Sequence, residues 1–160
     1  MLNNLNNILI FSRPVQSGKT TALFQHIKNM NNVVGFLTPD VDGKRMFFDI
    51  TKNKYHPFET NETDPLLAQQ IGRFFFLQST FETGKNIINK YNNQTFFIID
   101  EVGKLEVEMD RGFEPAIKNL ILNFKSKNYK GILLLVIRDT LIEKVIEKYD
   151  LQNVKVINHL

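Results

Sequence analysis

Three unbroken apolar runs limit what this chain can fold into more than any other feature. They are Ile8-Leu9-Ile10-Phe11, Phe96-Phe97-Ile98-Ile99 and Ile132-Leu133-Leu134-Leu135-Val136-Ile137. A strand with one wet face alternates apolar and polar residues, whereas a short continuous run suits a strand covered on both faces, as in a parallel sheet. Each run precedes a segment with helical spacing. Ala22, Leu23, Ile27 and Met30 follow the first. Phe113, Ile117, Leu120, Ile121 and Phe124 follow the second as one stripe, with Pro115 suited to a first turn. Thr140-x-x-Glu143 follows the third and spells a capping box ahead of Leu141 to Tyr149. A further capping box, Ser79-x-x-Glu82, opens a helix carrying Phe81, Ile88 and Tyr91. Strands alternating with helices predict a three-layer α/β domain with a mostly parallel sheet. At 160 residues the chain is expected to be one domain, residues 1–160.

One stretch breaks the alternation. VVGFLTPDVDGKRMFFDI, residues 33–50, carries Asp42-Gly43 between two strand-like runs, the spelling of a two-residue antiparallel hairpin. Phe74 to Leu77 reads as another strand, its aromatics serving core packing rather than base stacking, and polar Asn61 to Gln70 as a loop or short helix.

Composition excludes several functions. There is no Cys, so disulfides are absent and a reducing cytoplasm is the expected compartment. The opening MLNNLNNILIF lacks a basic head and does not read as a secretory signal. The longest apolar run is far too short to span a bilayer, so no membrane role is expected. His26, His56 and His159 lack ligand spacing for zinc. A net charge of +3 with both signs interspersed leaves nucleic acid open as a partner without indicating it.

Chemistry concentrates in FSRPVQSGKTT, residues 11–21, which lies after the first buried run and before its helix. A phosphate-binding loop requires that position, because backbone N–H groups and a helix N-terminus converge there on polyphosphate. Arg13, Pro14, Val15, Gln16, Ser17, Gly18, Lys19, Thr20 and Thr21 are therefore the candidate nucleotide-binding residues. Lys19 would reach the β- and γ-phosphates, and the Thr20 hydroxyl would ligate Mg²⁺. The pattern GxxxxGK(S/T) asks for glycine where Arg13 stands. If that position needs φ > 0, the side chain costs about 1–2 kcal/mol.

The second element is Asp100-Glu101 at the end of the second run. A buried strand ending there places Asp100 at the sheet's carboxyl edge, where open α/β sheets bind ligands. Asp100 would hold Mg²⁺ through water, and Glu101 would orient a water for in-line attack. Arg138, directly after the third run, is the candidate for neutralising the transferred phosphoryl group, with Arg111 as another. Arg45 and Arg73 look structural or exposed.

Taken in order, GKTT, GFLTPDVDGKRMFFDI, IIDEVGKLE, GFEPAI and LLLVIRDTL resemble the small P-loop nucleoside-triphosphatase family, which includes the cancer-related nucleoside-triphosphatase and its thermophile relatives. The resemblance spans about residues 8–149. It implies a three-layer P-loop fold and Mg²⁺-dependent hydrolysis of nucleoside triphosphates such as ATP and GTP, with loose base preference. It also implies phosphate and metal contacts at Gly18, Lys19 and Thr20, metal and water-activating roles for Asp100 and Glu101, and an arginine role for Arg138. Arg13 and Gln16-Ser17 depart from the family's loop. Two other readings stay open: a kinase passing phosphate to a nucleotide, nucleoside or RNA end, and a non-catalytic nucleotide-binding switch.

Overall fold

A computed structural model describes residues 5–14 and 16–160. In chain order its elements are β1 (Ile8–Arg13), α1 (Lys19–Ile27), β2 (Val33–Leu37), β3 (Asp40–Val41), β4 (Lys44–Asp49), β5 (Lys54–Pro57), β6 (Glu59–Thr60), β7 (Ala68–Ile71) and β8 (Phe74–Leu77). There follow α2 (Gln78–Asn89), β9 (Phe96–Val102), α3 (Lys104–Met109), α4 (Ala116–Lys125), β10 (Ile132–Arg138), α5 (Ile142–Tyr149) and β11 (Lys155–Ile157).

The three apolar runs become β1, β9 and β10, central strands of a sheet ordered β11-β1-β10-β9-β2-β4-β3. Pairing is parallel from β11 to β2 and antiparallel from β2 through β4 to β3 and β5. Both faces are covered, as unbroken apolarity requires. Ile8, Ile10, Phe97, Ile99, Leu133, Leu135 and Ile137 pack with α2, α3, α4 and α5. Phe11, Ile98, Leu134 and Val136 pack with Leu23 of α1 on the other side. Period-two alternation along each strand thus divides one run between two cores.

The Asp42-Gly43 hairpin forms as expected, with φ of 51° and 77° joining β3 to β4. A separate three-stranded antiparallel sheet, β6-β8-β7, was not anticipated. Within 61–70, the Asp64 carboxylate and carbonyl accept N–H groups of Leu66, Leu67 and Ala68, forming a turn that delivers Ala68–Ile71 as a strand. Phe76 of β8 packs against Phe58 in the core, while exposed Phe74 lies under the Arg73 guanidinium at 4.9 Å.

Neither spelled capping box is used. Leu77 still pairs with Ala68 and is itself the N-cap of α2, so β8 runs straight into the helix and Ser79 falls inside its first turn. Before α5, Asp139 to Leu141 form a 3₁₀ turn in which the Asp139 carboxylate accepts the Thr140 N–H at 2.9 Å. That turn displaces the helix start to Ile142. Among the described residues, no helix is long and apolar enough to cross a membrane.

Candidate nucleotide site

The site begins where β1 ends. Arg13 is the last residue of that strand, in register with Arg138 of β10. Left-handed backbone occurs later, at Gln16 (φ 59°) and Gly18 (φ 78°). The supposed strain at Arg13 is therefore absent, because the chain has not yet turned; Gln16 is the side chain that bears the left-handed conformation. Gly18 caps α1, and its carbonyl accepts the Ala22 N–H at 2.9 Å. Pro14, Gln16, Ser17 and Thr21 are exposed around this turn, and Val15 lies outside the described residues.

Lys19, only 8% exposed, folds back along the loop. Its Nζ donates to the carbonyls of Arg13 at 3.2 Å and Pro14 at 3.3 Å. The next residue reaches across the sheet edge: the Thr20 hydroxyl donates to Asp100 Oδ2 at 2.9 Å. The Thr38 N–H, just beyond the end of β2, donates to the same oxygen at 3.1 Å. Asp100 is 1% exposed, and burial pushes its carboxyl up to about 6, aided by the adjacent Glu101 charge. The Thr38 and Thr20 hydrogen bonds and the Arg45 charge oppose that rise.

Glu101 occupies an irregularity in the ladder. Val136 pairs with Asp100 but Ile137 pairs with Val102, leaving Glu101 as the extra residue. A bulge of this kind re-aims a side chain at a sheet's edge. Its Oε1 accepts Arg138 Nε at 2.7 Å, the two side chains being 15% and 41% exposed. Arg111 is exposed beyond α3, and among the described residues nothing joins it to Asp100 or Glu101.

Two contributors were not expected from sequence. Thr38 acts through its backbone N–H, which any residue type could supply. Arg45 is held by Asp40 at 2.9 Å across the β3–β4 hairpin, and its charge is felt at Asp100. The segment GFLTPDVDGKR contains both, yet their proximity to Asp100 comes from β2 pairing with β9.

The donor set fits a small hard cation. Thr20 and Asp100 supply oxygen only, and no cluster of three or more His, Cys, Asp or Glu side chains occurs among the described residues. Mg²⁺ is characteristically held by one or two protein oxygens together with phosphate and water, not by an all-protein cage. A cavity of about 350 Å³ between α2 and α4, lined by Ile88, Ala116 and Leu120, touches none of these residues.

A parallel sheet whose first strand turns through Gly18-Lys19-Thr20 into a helix, with an aspartate facing that threonine, is the architecture of a P-loop NTPase. The same fold is found in the crystal structure of THEP1 from the hyperthermophile Aquifex aeolicus, at a TM-score of 0.68 and 20% identity over 94% of this chain and 88% of that one. The sequence profile of the NTPase family matches residues 7–158, and the chain belongs to that family. No curated protein sequence matches it significantly.

Proposed function

We propose that the protein hydrolyses nucleoside triphosphates to the diphosphate and phosphate in a Mg²⁺-dependent reaction, with loose base preference and in a reducing cytoplasm. The observation that carries this reading is the 2.9 Å hydrogen bond from Thr20 to Asp100, which joins the loop to the carboxylate edge.

Lys19 binds the β- and γ-phosphates, exchanging its two loop carbonyls for phosphate oxygens. Thr20 and Asp100 hold the metal, which when bound neutralises charge on the β- and γ-phosphates. Glu101, aimed by its bulge and by Arg138, orients the attacking water and accepts its proton. The water oxygen bonds to the γ-phosphorus as the bond to the β–γ bridging oxygen breaks, and the diphosphate leaves with that electron pair. Arg138 keeps its Nη groups for the charge on the transferred group while Nε steers Glu101.

The test is phosphate release from a panel of triphosphates with Mg²⁺, comparing wild type with Lys19→Ala and Glu101→Gln. Lys19→Ala is expected to lose binding. Glu101→Gln is expected to bind normally and to lose about two to four decades of rate. Release only with an added acceptor would point to a kinase, and tight binding without release to a switch.

A further inference from the structure

The irregularity that frees Glu101 from the ladder leaves its position to be fixed by other means. Ile137 passes over Glu101 to pair with Val102, and the pairing of β2 with β9 stops at Ile99. Arg138 holds the Glu101 side chain from the β10 side. A second anchor lies two residues downstream, where the chain leaves β9 at Gly103.

The Gly103 N–H donates to Glu106 Oε2, and the Phe113 N–H donates to Glu106 Oε1, each at 3.0 Å. One carboxylate thus joins the exit of β9 to Phe113, which is buried and packed against Phe36 and Phe81. Glu101 stands beside this link. A Cβ built on Gly103 would lie 3.7 Å from Glu106 Oε2 and 4.0 Å from Glu101 Oε1.

The turn before Phe113 is shaped around Glu106. A Cβ at Gly112 would fall 2.0 Å from Glu106 Oε1, and the φ of 67° there also favours glycine. Gly112 donates its buried N–H to Gln69 Oε1 at 3.0 Å, which ties the turn to β7. An exposed carboxylate would suffice to cap a helix as short as α3. Burying one costs free energy, and a cap needs no bond to Phe113.

We infer that Glu106 is a positioning residue: through Gly103 it fixes where β9 delivers the Glu101 carboxylate, and Gln69 holds the turn that seats it. The inference rests on the proposed hydrolysis, in which Glu101 orients the attacking water. Glu106 shares no hydrogen bond with Lys19, Thr20 or Asp100. Its loss therefore spares triphosphate binding and slows the chemical step. A misplacement of about 1 Å at the reacting groups can cost on the order of 10² in rate.

A double-mutant cycle separates positioning from general weakening of the fold. Single-turnover hydrolysis of Mg·ATP, and binding of a non-hydrolysable ATP analogue with Mg²⁺, are measured for Glu106→Met in wild-type and Glu101→Gln backgrounds. Methionine has a chain of similar length and accepts neither N–H. Glu106→Met is expected to slow hydrolysis about 10–100-fold with binding within twofold of wild type. In the Glu101→Gln background the same change is expected to cost less than twofold, because the group it positions is already gone. Glu106→Gln keeps one acceptor oxygen and is expected to fall between. An unchanged rate, or equal loss in both backgrounds, overturns the inference. Should Glu106→Met fail to fold, Gln69→Leu decides, since it loosens the turn and leaves Glu106 in place. It is expected to show the same pattern at about threefold to tenfold, and an unchanged rate there overturns the inference. Failure of the cycle while Glu101→Gln remains slow leaves the hydrolase reading standing. Wild type that releases no phosphate, or Glu101→Gln as fast as wild type, removes both.

Discussion

The Thr20 hydroxyl and the Asp100 carboxylate meet at 2.9 Å although 80 positions separate them in the chain. Thr20 is the second residue of α1, and Asp100 lies on a strand separated from β1 by β10. Under the proposed function the two oxygens together form the metal locus. Thr20→Ala is expected to raise the Mg²⁺ needed for half-maximal phosphate release by about 10–100-fold. Asp100→Asn is expected to do at least as much. Titrating Mg²⁺ at saturating triphosphate checks this, and an unchanged midpoint in both variants would remove the pair from metal binding.

Arg138 touches Glu101 at 2.7 Å, and under the proposed function it acts in two ways, on the base and on the phosphoryl charge. Arg138→Ala is expected to lower kcat by on the order of 10³ with little change in triphosphate affinity. Arg138→Lys keeps the charge but not the planar fork, and is expected to recover only part of the rate. Stopped-flow phosphate release measures both.

Arg13 and Gln16 exchange the roles their letters suggest. Because Arg13 is extended, Arg13→Gly relieves no strain and is expected to weaken triphosphate binding through loss of the guanidinium, whose Nε donates to the Asn158 carbonyl. Gln16→Gly removes a side chain from a left-handed position and is expected to stabilise the fold by about 0.5–1 kcal/mol. Thermal unfolding would show this as a rise of about 1–4 °C.

Gly84 in α2 sits against the phenylalanine cluster. A Cβ there would lie 2.3 Å from Phe113 Cε1 and 3.3 Å from Phe47 Cε2. Gly84→Ala would gain about 1 kcal/mol of helix propensity. Overpacking costs about 1–3 kcal/mol, and Phe113 is pinned among Phe36, Phe58 and Phe81, so the loss is expected to prevail. A lower melting temperature for the alanine variant checks this.

Glu106 is 3% exposed and accepts the N–H groups of Gly103 and Phe113, each at 3.0 Å. Burial nevertheless pushes its carboxyl up to about 7. Between the unfolded value and 7, the folded chain holds a proton that the unfolded chain releases, so this stabilisation is full below the unfolded value and is lost as pH rises through 7. The melting temperature of wild type minus that of Glu106→Gln is expected to be larger at pH 5 than at pH 8. A difference independent of pH would show that Glu106 is not protonated in the fold.

Much of the site could be read from the letters because its parts are local. Gly18-Lys19-Thr20 lies within one strand–turn–helix, and Asp100-Glu101 ends one buried run. Arg45 could not be read that way, since its relation to Asp100 depends on a hairpin and on β2 lying beside β9. The strand Ala68–Ile71 was hidden in a polar segment because its pairing with β8 supplies what its composition lacks. Helix α3 was missed for a similar reason. It is short, and Glu106 fixes it from within by reaching the Gly103 and Phe113 N–H groups.

By itself the sequence determined the parallel sheet, the loop that turns at Gly18 and the acidic edge at Asp100, because apolar runs, glycine and strand-end carboxylates act through nearest neighbours. Only the tertiary structure decided which oxygen Thr20 meets, where Glu101 is aimed, and that Arg13 is extended and tied to Asn158. Those outcomes depend on strand order and on a one-residue irregularity in register, and no short-range preference encodes either.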